Sequence, residues 1–491
     1  MTCPARMTWL AAAAMAWVCS AGPSQAQLFG PGTGTTATQL RWTSDEPGHQ
    51  LITPYFSTQG DNNTLLSWVN TDPVNGKLLK VRFRGAANGD TLLDFMVLLG
   101  PSDVWTASLS QGEDGLTRLV TPDNSCTLPA SLSGVAFRTD RLQPELPADA
   151  KALHTREGLV EAIVMADVAP GDSGVLFNVI RPQKGLPASC DAAALAVLTQ
   201  PAAITREDQA RAVGLAPPTG GLMGMWQIIR LSNYASYSGR QHAVAAVDAQ
   251  GRPAVANWAF APQTDVAAGS AGLAQTTDPV LTLNGLSWSD LPDLSTPLAG
   301  TSAQAQVEAQ HSRGEGRPGL ANEFVHTVEA TSVPGATDWV ISQPLRRYVV
   351  AVDPRSGQLL RLPGVSGVVL PPNGEMGSMV CSPAGLEVWN REMNALSDAG
   401  FALPQPWRAC GVVTVVTFGS VQVLQAGLTP LGRELGRPGV YEAGWAIFRS
   451  RALSQDGLRH GPMLGYSATS LRNTAQNGNY GSVVPHVRVL N

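Results

Sequence analysis

Charge is scarce in this sequence. Asp, Glu, Lys and Arg make up 14% of its 491 residues, against ~25% in an average soluble domain. What charge there is nearly cancels, leaving a formal net of −5. A weakly acidic chain offers no basic stripe, which excludes nucleic acid as a partner and electrostatic docking on anionic lipid. Cysteine is sparse too. Six are present and none is spaced as Cys-x-x-Cys, which argues against a zinc site. The seven histidines are scattered singly, with no His-Glu-x-x-His pair. Phosphate loops and dinucleotide fingerprints are missing, because the glycines lie in turns rather than between a strand and a helix. Beyond the N-terminal segment, no run approaches the ~20 apolar residues of a membrane-spanning helix.

What is abundant points to export and to β structure. Arg6 precedes the apolar run "MTWLAAAAMAWVCSAG", and small residues close the segment at Ala26. This pattern predicts a secretory signal peptide over residues 1–26. Cys19 does not make a lipobox, because bulky Trp17 and Val18 precede it. The expected location is the cell surface or the extracellular space, with the periplasm as the fallback. After cleavage the chain keeps Cys126, Cys190, Cys381 and Cys410. An even number in an oxidising compartment implies disulfides, and sequence alone leaves three pairings open. Nearest-neighbour pairing, Cys126 with Cys190 and Cys381 with Cys410, is expected because each bridge then stays within one domain.

Gly 50 and Pro 36 favour a fold with many turns. In "LKVRFRG" the residues Leu79, Val81 and Phe83 alternate with Lys80, Arg82 and Arg84, which predicts a strand with one face in a core and one in water. Asn88-Gly89 marks a hairpin into "TLLDFMVLL", and "NTLLSWVN" and "DVWTASLS" bracket it as further strands. "LVEAIVMADV", "VLFNVI", "MWQIIRLSN", "RQHAVAAVDA", "TDWVISQP", "VVTVVTFG" and "VQVLQAG" also read as strands, and "AAITREDQARAV" as a short helix. The expected fold is mainly β: two antiparallel β-sandwich (immunoglobulin-like) domains with a few short helices. Their boundaries are placed at 27–290 for the N-terminal sandwich, 291–320 for a linker or helical segment, and 321–491 for the C-terminal β-rich domain.

One tetrapeptide invites a catalytic reading. Residues 171–174 are Gly-Asp-Ser-Gly, the surroundings of the nucleophile in chymotrypsin-like proteases. A nucleophilic Ser173 needs a base and an orienting carboxylate within reach. The upstream histidines, His49 in "PGHQL" and His154 in "ALHTREG", stand in no such setting, and Val175 and Leu176 follow where the motif continues with Gly and Pro. Turn formers between two apolar segments explain the same residues. The expectation is therefore a non-enzymatic protein with no catalytic residues and no cofactor. Acidic turns such as "QGDNNT", "ANGDT", "QGEDG" and "TPDNS" leave room for structural Ca²⁺, although Asp, Asn and Gly populate β-turns for local reasons alone. Trp68, Trp105, Trp258, Trp288 and Trp339 lie in or beside apparent strands. Core packing accounts for each more simply than a carbohydrate platform does.

The stretch "VRFRGAANGD" followed by "LDFMVLLGPSDVWTA", with Asn70-Thr71-Asp72 before it, resembles the nanopod-type (NpdA-like) surface-layer proteins of Gram-negative bacteria. "REGLVEAIVMADV", "SCDAAAL" and "NEFVHTVEATSVPGATDWVISQPLRRYVVAV" extend the likeness over roughly residues 50–355. The resemblance implies a secreted surface-layer protein that self-assembles on the outer surface or around outer-membrane vesicles. Its implied partners are itself and outer-membrane surface components, and it carries over no catalytic residue. A secreted β-sandwich adhesin or binding module that recognises a glycan or a surface is the second reading.

Overall fold

The computed structural model describes residues 27–28, 34–43, 45–171, 174–181, 189–200, 203–257, 259–260, 262–263, 281–283, 286–288, 319–327, 333–344, 346, 350–352, 359–361, 367–370, 377–395, 408–428, 430–433, 441–450, 463–473 and 478–489. The molecule is mainly β, with antiparallel sheets and a few short helices. An eight-stranded sheet is built around Gln50–Ser57, Glu157–Val168, Gly76–Gly85 and Thr91–Leu99. A six-stranded sheet, centred on Asn62–Asn70 and Leu222–Arg230, faces it. Trp105 from the second sheet meets Phe95 from the first, ring centres 5.6 Å apart, and stacks on Trp68 at 4.7 Å. Apolar residues at alternate positions of both sheets fill this layer, as a sandwich requires. Gly89, at a φ of +73°, turns the hairpin that the Asn-Gly pair predicts.

Two five-stranded sheets make a second sandwich from residues beyond 318. Phe324, Trp339, Val388, Phe418 and Phe448 meet inside it. One pair of strands, Val413–Phe418 and Pro430–Arg433, is parallel. Among the described residues no sheet mixes strands from the two halves. The core nevertheless crosses the boundary: Val340, Val413, Val415, Tyr466 and Ala468 bury their side chains in the N-terminal core, and Tyr466 stacks on Trp226 at 4.5 Å. Strand Gly335–Ser342 is therefore buried on both faces. Of the segment 291–320 expected to be a linker, residues 291–318 lie outside the described residues, as do residues 1–26, while 319 and 320 begin the strand Gly319–Val325.

Both disulfides follow nearest-neighbour pairing, Cys126–Cys190 and Cys381–Cys410. The first ties the short helices near residues 192–198 to the edge of the eight-stranded sheet. The second joins directly paired residues of neighbouring strands. Cys126–Cys190 spans 64 residues of chain, so its removal by a double serine substitution is expected to cost about 3–4 kcal/mol. Chemical denaturation of the variant against the oxidised wild type measures this. A loss below about 1 kcal/mol would mean that the bridge restrains little of the unfolded chain.

Three local expectations are corrected. "VLFNVI" is a helix, Val175–Ile180, not a strand; it buries Leu176, Val179 and Ile180 on one side, a helical rather than an alternating pattern. "VQVLQAG" forms no strand, because its backbone N–H groups bond to buried carboxylates instead of to a ladder. The face of Gly76–Gly85 that carries Lys80, Arg82 and Arg84 is not in water: these residues are 1%, 0% and 1% exposed. Gln263, Arg141 and the 378–380 backbone close over this side of the hairpin. Farther along the same face, Leu78, Met96 and Leu98 pack in a cluster with Val350, Val352, Val368 and Val380 of the C-terminal half. No helix among the described residues is long and apolar enough to cross a membrane.

Candidate functional site

Ser173 and Asp172 lie outside the described residues. Around them, strand Glu157–Val168 ends and helix Val175–Ile180 begins, with the Gly174 N–H donating to the Gly171 carbonyl at 3.0 Å. His49 is engaged elsewhere. Its Nε2–H donates to the Pro218 carbonyl (3.1 Å) and its Nδ1 accepts from the Ala246 N–H (3.1 Å), which fixes the neutral tautomer. Burial pushes its pKa down to about 4. His154 is buried at the end of helix Ala148–His154.

The acidic turns are occupied by local bonds. Asp61 pairs with Arg230 at 3.4 Å, Asp114 with Arg118 at 2.6 Å, and Asp123 accepts from the Ser125 N–H and hydroxyl. Among the described residues no group of three or more His, Cys, Asp or Glu side chains is arranged to hold a metal ion. Trp68, Trp105 and Trp339 are completely buried. Trp258 lies outside the described residues, and Trp288 closes the strand Leu286–Trp288.

A cleft of about 490 Å³ opens between the two halves, with Arg41, Trp42, Asp45, His242, His486 and Arg488 among its lining. His486 is a structural residue. Its Nε2–H donates to the Val340 carbonyl (3.0 Å), its Nδ1 accepts from the Asn322 amide (3.1 Å), and Trp339 packs on its ring. Burial lowers His242 to about 4 and His486 to about 3. Both are neutral at pH 7, and the hydroxyl of Thr43 on this wall donates to Asp45 (2.6 Å) rather than to a histidine. Among the described lining residues no histidine is placed to act as base toward a hydroxyl or thiol.

The distribution of charge is more informative. Lys77, Lys80, Arg82, Arg84, Asp94, Glu157, Glu161, Asp167, Asp338 and Arg346 are all buried. Such groups are rarely buried unless paired, and pairs are present: Lys77 with Asp167 (2.6 Å), Lys80 with Asp94 (2.7 Å), Arg84 with Glu161 (2.6 Å). A chain already poor in charge therefore shows even less of it outside.

The outer face of the six-stranded sheet displays the consequence. Val104, Val69 and Met223 form one cross-strand row; Thr106, Ser67 and Met225 form the next; Ser108, Leu65 and Gln227 form a third. Met223 and Met225 are 42% and 51% exposed. Among the strand residues of this face, charge is confined to Arg118, on the strand next to the edge, and Arg240, on the edge strand across from Met225. Soluble sheets ordinarily carry charge on such a face to block edge-to-edge and face-to-face association. Its four long strands cover on the order of 500 Å² at the usual strand spacing and rise.

Sequence reading missed two aromatic residues, Trp389 and Trp445, whose rings stack 4.3 Å apart on the outside of the second sandwich. The signal was present. In "GLEVWN" and "GWAIFRS" the tryptophans alternate with buried Val388, Ala446 and Phe448 and share their face with Glu387 and Arg449.

No family model matches the chain, and no curated protein does. Among solved structures, the CupB6 tip adhesin from Pseudomonas aeruginosa is 9% identical over 92% of this chain and 98% of that chain, at a TM-score of 0.10. A likeness of that size carries no argument about fold or function.

Proposed function

We propose that this protein is an exported, non-enzymatic component of the cell envelope that works through repeated contacts between copies of itself in a surface layer. The observation that carries the reading is the outer face of the six-stranded sheet, rich in Ser, Thr, Val and Met, with Arg118 and Arg240 as its charged strand residues. A face of on the order of 500 Å² falls short of the ~800 Å² per partner of a standard complex. It suits contacts that are weak singly and strong when repeated across a layer. Two disulfides suit an oxidising compartment, and the resemblance of residues 50–355 to nanopod-type surface-layer proteins points the same way.

Sedimentation and negative-stain microscopy of the purified protein test this. The wild type is expected to form ordered sheets or tubes as concentration rises. A Met223→Lys/Met225→Lys double variant is expected to stay monomeric with a nearly unchanged unfolding curve, because both side chains are about half exposed and a lysine stem can follow the same path. A wild type that remains monomeric at every concentration, and a cell surface unchanged by loss of the gene, would sink the proposal.

A further inference from the structure

The stacked pair Trp389–Trp445 is an exposed aromatic feature in a chain that buries Trp68, Trp105, Trp226 and Trp339 to at most 2% exposure and half-buries Trp42 in the cleft. Trp389 and Trp445 stand directly opposite each other on strands Cys381–Asn390 and Ala443–Ser450, on the face away from the core. Their planes are 12° apart. Trp445 is 42% exposed. Close approach of the two strands depends on Gly444, where a Cβ would collide with the Trp389 carbonyl. The backbone is thus shaped around the pair, yet the pair fills no core.

The same row continues onto the third strand. Glu323 lies directly across from Trp445 on strand Gly319–Val325. Its carboxylate is exposed and makes no hydrogen bond or ion pair with any described residue. One row along, Glu387 accepts from Arg449 at 3.0 Å, and Ala321 presents only a methyl beside Ile447. The row therefore offers indole, carboxylate and guanidinium groups above a low floor.

We infer that Trp389, Trp445 and Glu323 form a binding platform for a neutral sugar ring of a polysaccharide. One face of a pyranose is lined by C–H groups, whose weakly positive hydrogens suit the negative face of an indole. Its hydroxyls both donate and accept. Glu323 accepts from them, and the Arg449 side chain donates beside it. Among the described residues of this row and the next, two carboxylates stand against one guanidinium, a balance that disfavours uronic acids, sialic acids and phosphorylated glycans. Stacking Trp389 behind Trp445 holds the outer ring in one orientation and removes the cost of ordering it on binding. This platform lies on the second sandwich and does not depend on the sheet face assigned to self-assembly.

Affinity electrophoresis and calorimetry of the full mature protein test the inference, with cellohexaose, laminarihexaose and maltohexaose as neutral probes and polygalacturonate as the acidic one. At least one neutral probe is expected to bind. Trp445→Ala is expected to weaken it by about three- to tenfold, the loss of one aromatic contact, and Glu323→Gln by less. Trp389→Phe, which keeps a stacking partner, is expected to retain most of the affinity and serves as the check should Trp445→Ala fail to fold. Binding of no neutral probe, binding undiminished in Trp445→Ala, or preference for polygalacturonate overturns the proposal. Binding of a lysine-rich peptide in place of the glucans overturns it as well and reassigns the indoles to a cation.

Discussion

Replacing Glu161 by alanine is expected to destabilise the protein by about 3–5 kcal/mol, while replacing Arg84 and Glu161 together by methionine and leucine leaves it within about 2 kcal/mol of wild type. Glu161 is completely buried and accepts from Arg84 Nε at 2.6 Å. It also lies directly across from Arg82 on the neighbouring strand. Removing it leaves two buried guanidiniums, two residues apart on one face, with one anion fewer between them. The interior does not solvate that charge, so the cost is the desolvation of a cation that has lost its counterion rather than the worth of one hydrogen bond. Removing both partners takes the charge away with its compensation. Arg84 also donates to the Thr91 hydroxyl (3.2 Å) and the Gly89 carbonyl (3.4 Å), and the loss of these bonds contributes to the residual cost. Denaturant unfolding at pH 7 of the two variants measures the contrast. Equal losses in the single and double variants would show that this pair is not a closed electrostatic unit.

Those residues also show how far the sequence can be read. Alternation in "LKVRFRG" correctly separates two faces of a strand. It says nothing about what lies over the polar one. The cover comes from far along the chain: the Asn88 amide bonds the Ser378 carbonyl across 290 residues, and Lys80 reaches Gln263 across 183. Period-two patterning is a local property, and burial of a polar face is a tertiary one. The short apolar run "VLFNVI" failed for a related reason, since six residues without clear alternation fit a helix as well as a strand. Turn chemistry fared better. Asn88-Gly89 specifies its own backbone, whatever packs around it. For the candidate surfaces, the uncharged sheet face follows from alternation once the topology is known. The Trp389–Trp445 pair needed only the pattern of its own two strands, but finding the rings opposite each other needed the register.

The largest pH effects are expected to come from buried groups that partly oppose each other, so that each shows its full size only in variants. Two buried carboxyls clamp the loop 419–428 between the halves of the molecule. Glu157, on the N-terminal side, accepts from the N–H groups of Gly427 (2.5 Å) and Leu428 (3.2 Å). Asp338, on the C-terminal side, accepts from Val423 and Leu424, each at 2.8 Å. Tyr55 and Gln59 face Glu157; Thr417, Arg230, Tyr237 and Tyr466 face Asp338. Burial outweighs these hydrogen bonds and raises Glu157 to about 7 and Asp338 to about 6.

A carboxyl whose folded pKa is raised holds its proton more tightly than the unfolded chain does. Its contribution is fully present at low pH and is lost as pH rises, for Glu157 from its ordinary 4.5 to about 7. His49 behaves in the opposite sense. Burial lowers it from 6.5 to about 4, so the unfolded chain takes up the proton first and stability grows as pH rises through that window. His242 and His486 act in the same direction. Each fully buried group shifts the balance by roughly 3 kcal/mol, so between pH 4 and 6.5 the two carboxyls offset about two of the three histidines and the wild type keeps a net gain in stability as pH rises. The stability gap between wild type and His49→Asn, which keeps an acceptor for the Ala246 N–H, is therefore expected to widen by roughly 2–3 kcal/mol from pH 4 to 6.5. The gap between wild type and Glu157→Gln is expected to narrow by a similar amount over the same range. Denaturant unfolding of the three proteins at half-unit pH steps measures both gaps. Gaps that stay parallel would mean that these side chains titrate alike folded and unfolded, and that neither the His49 bonds nor the loop clamp is closed to water.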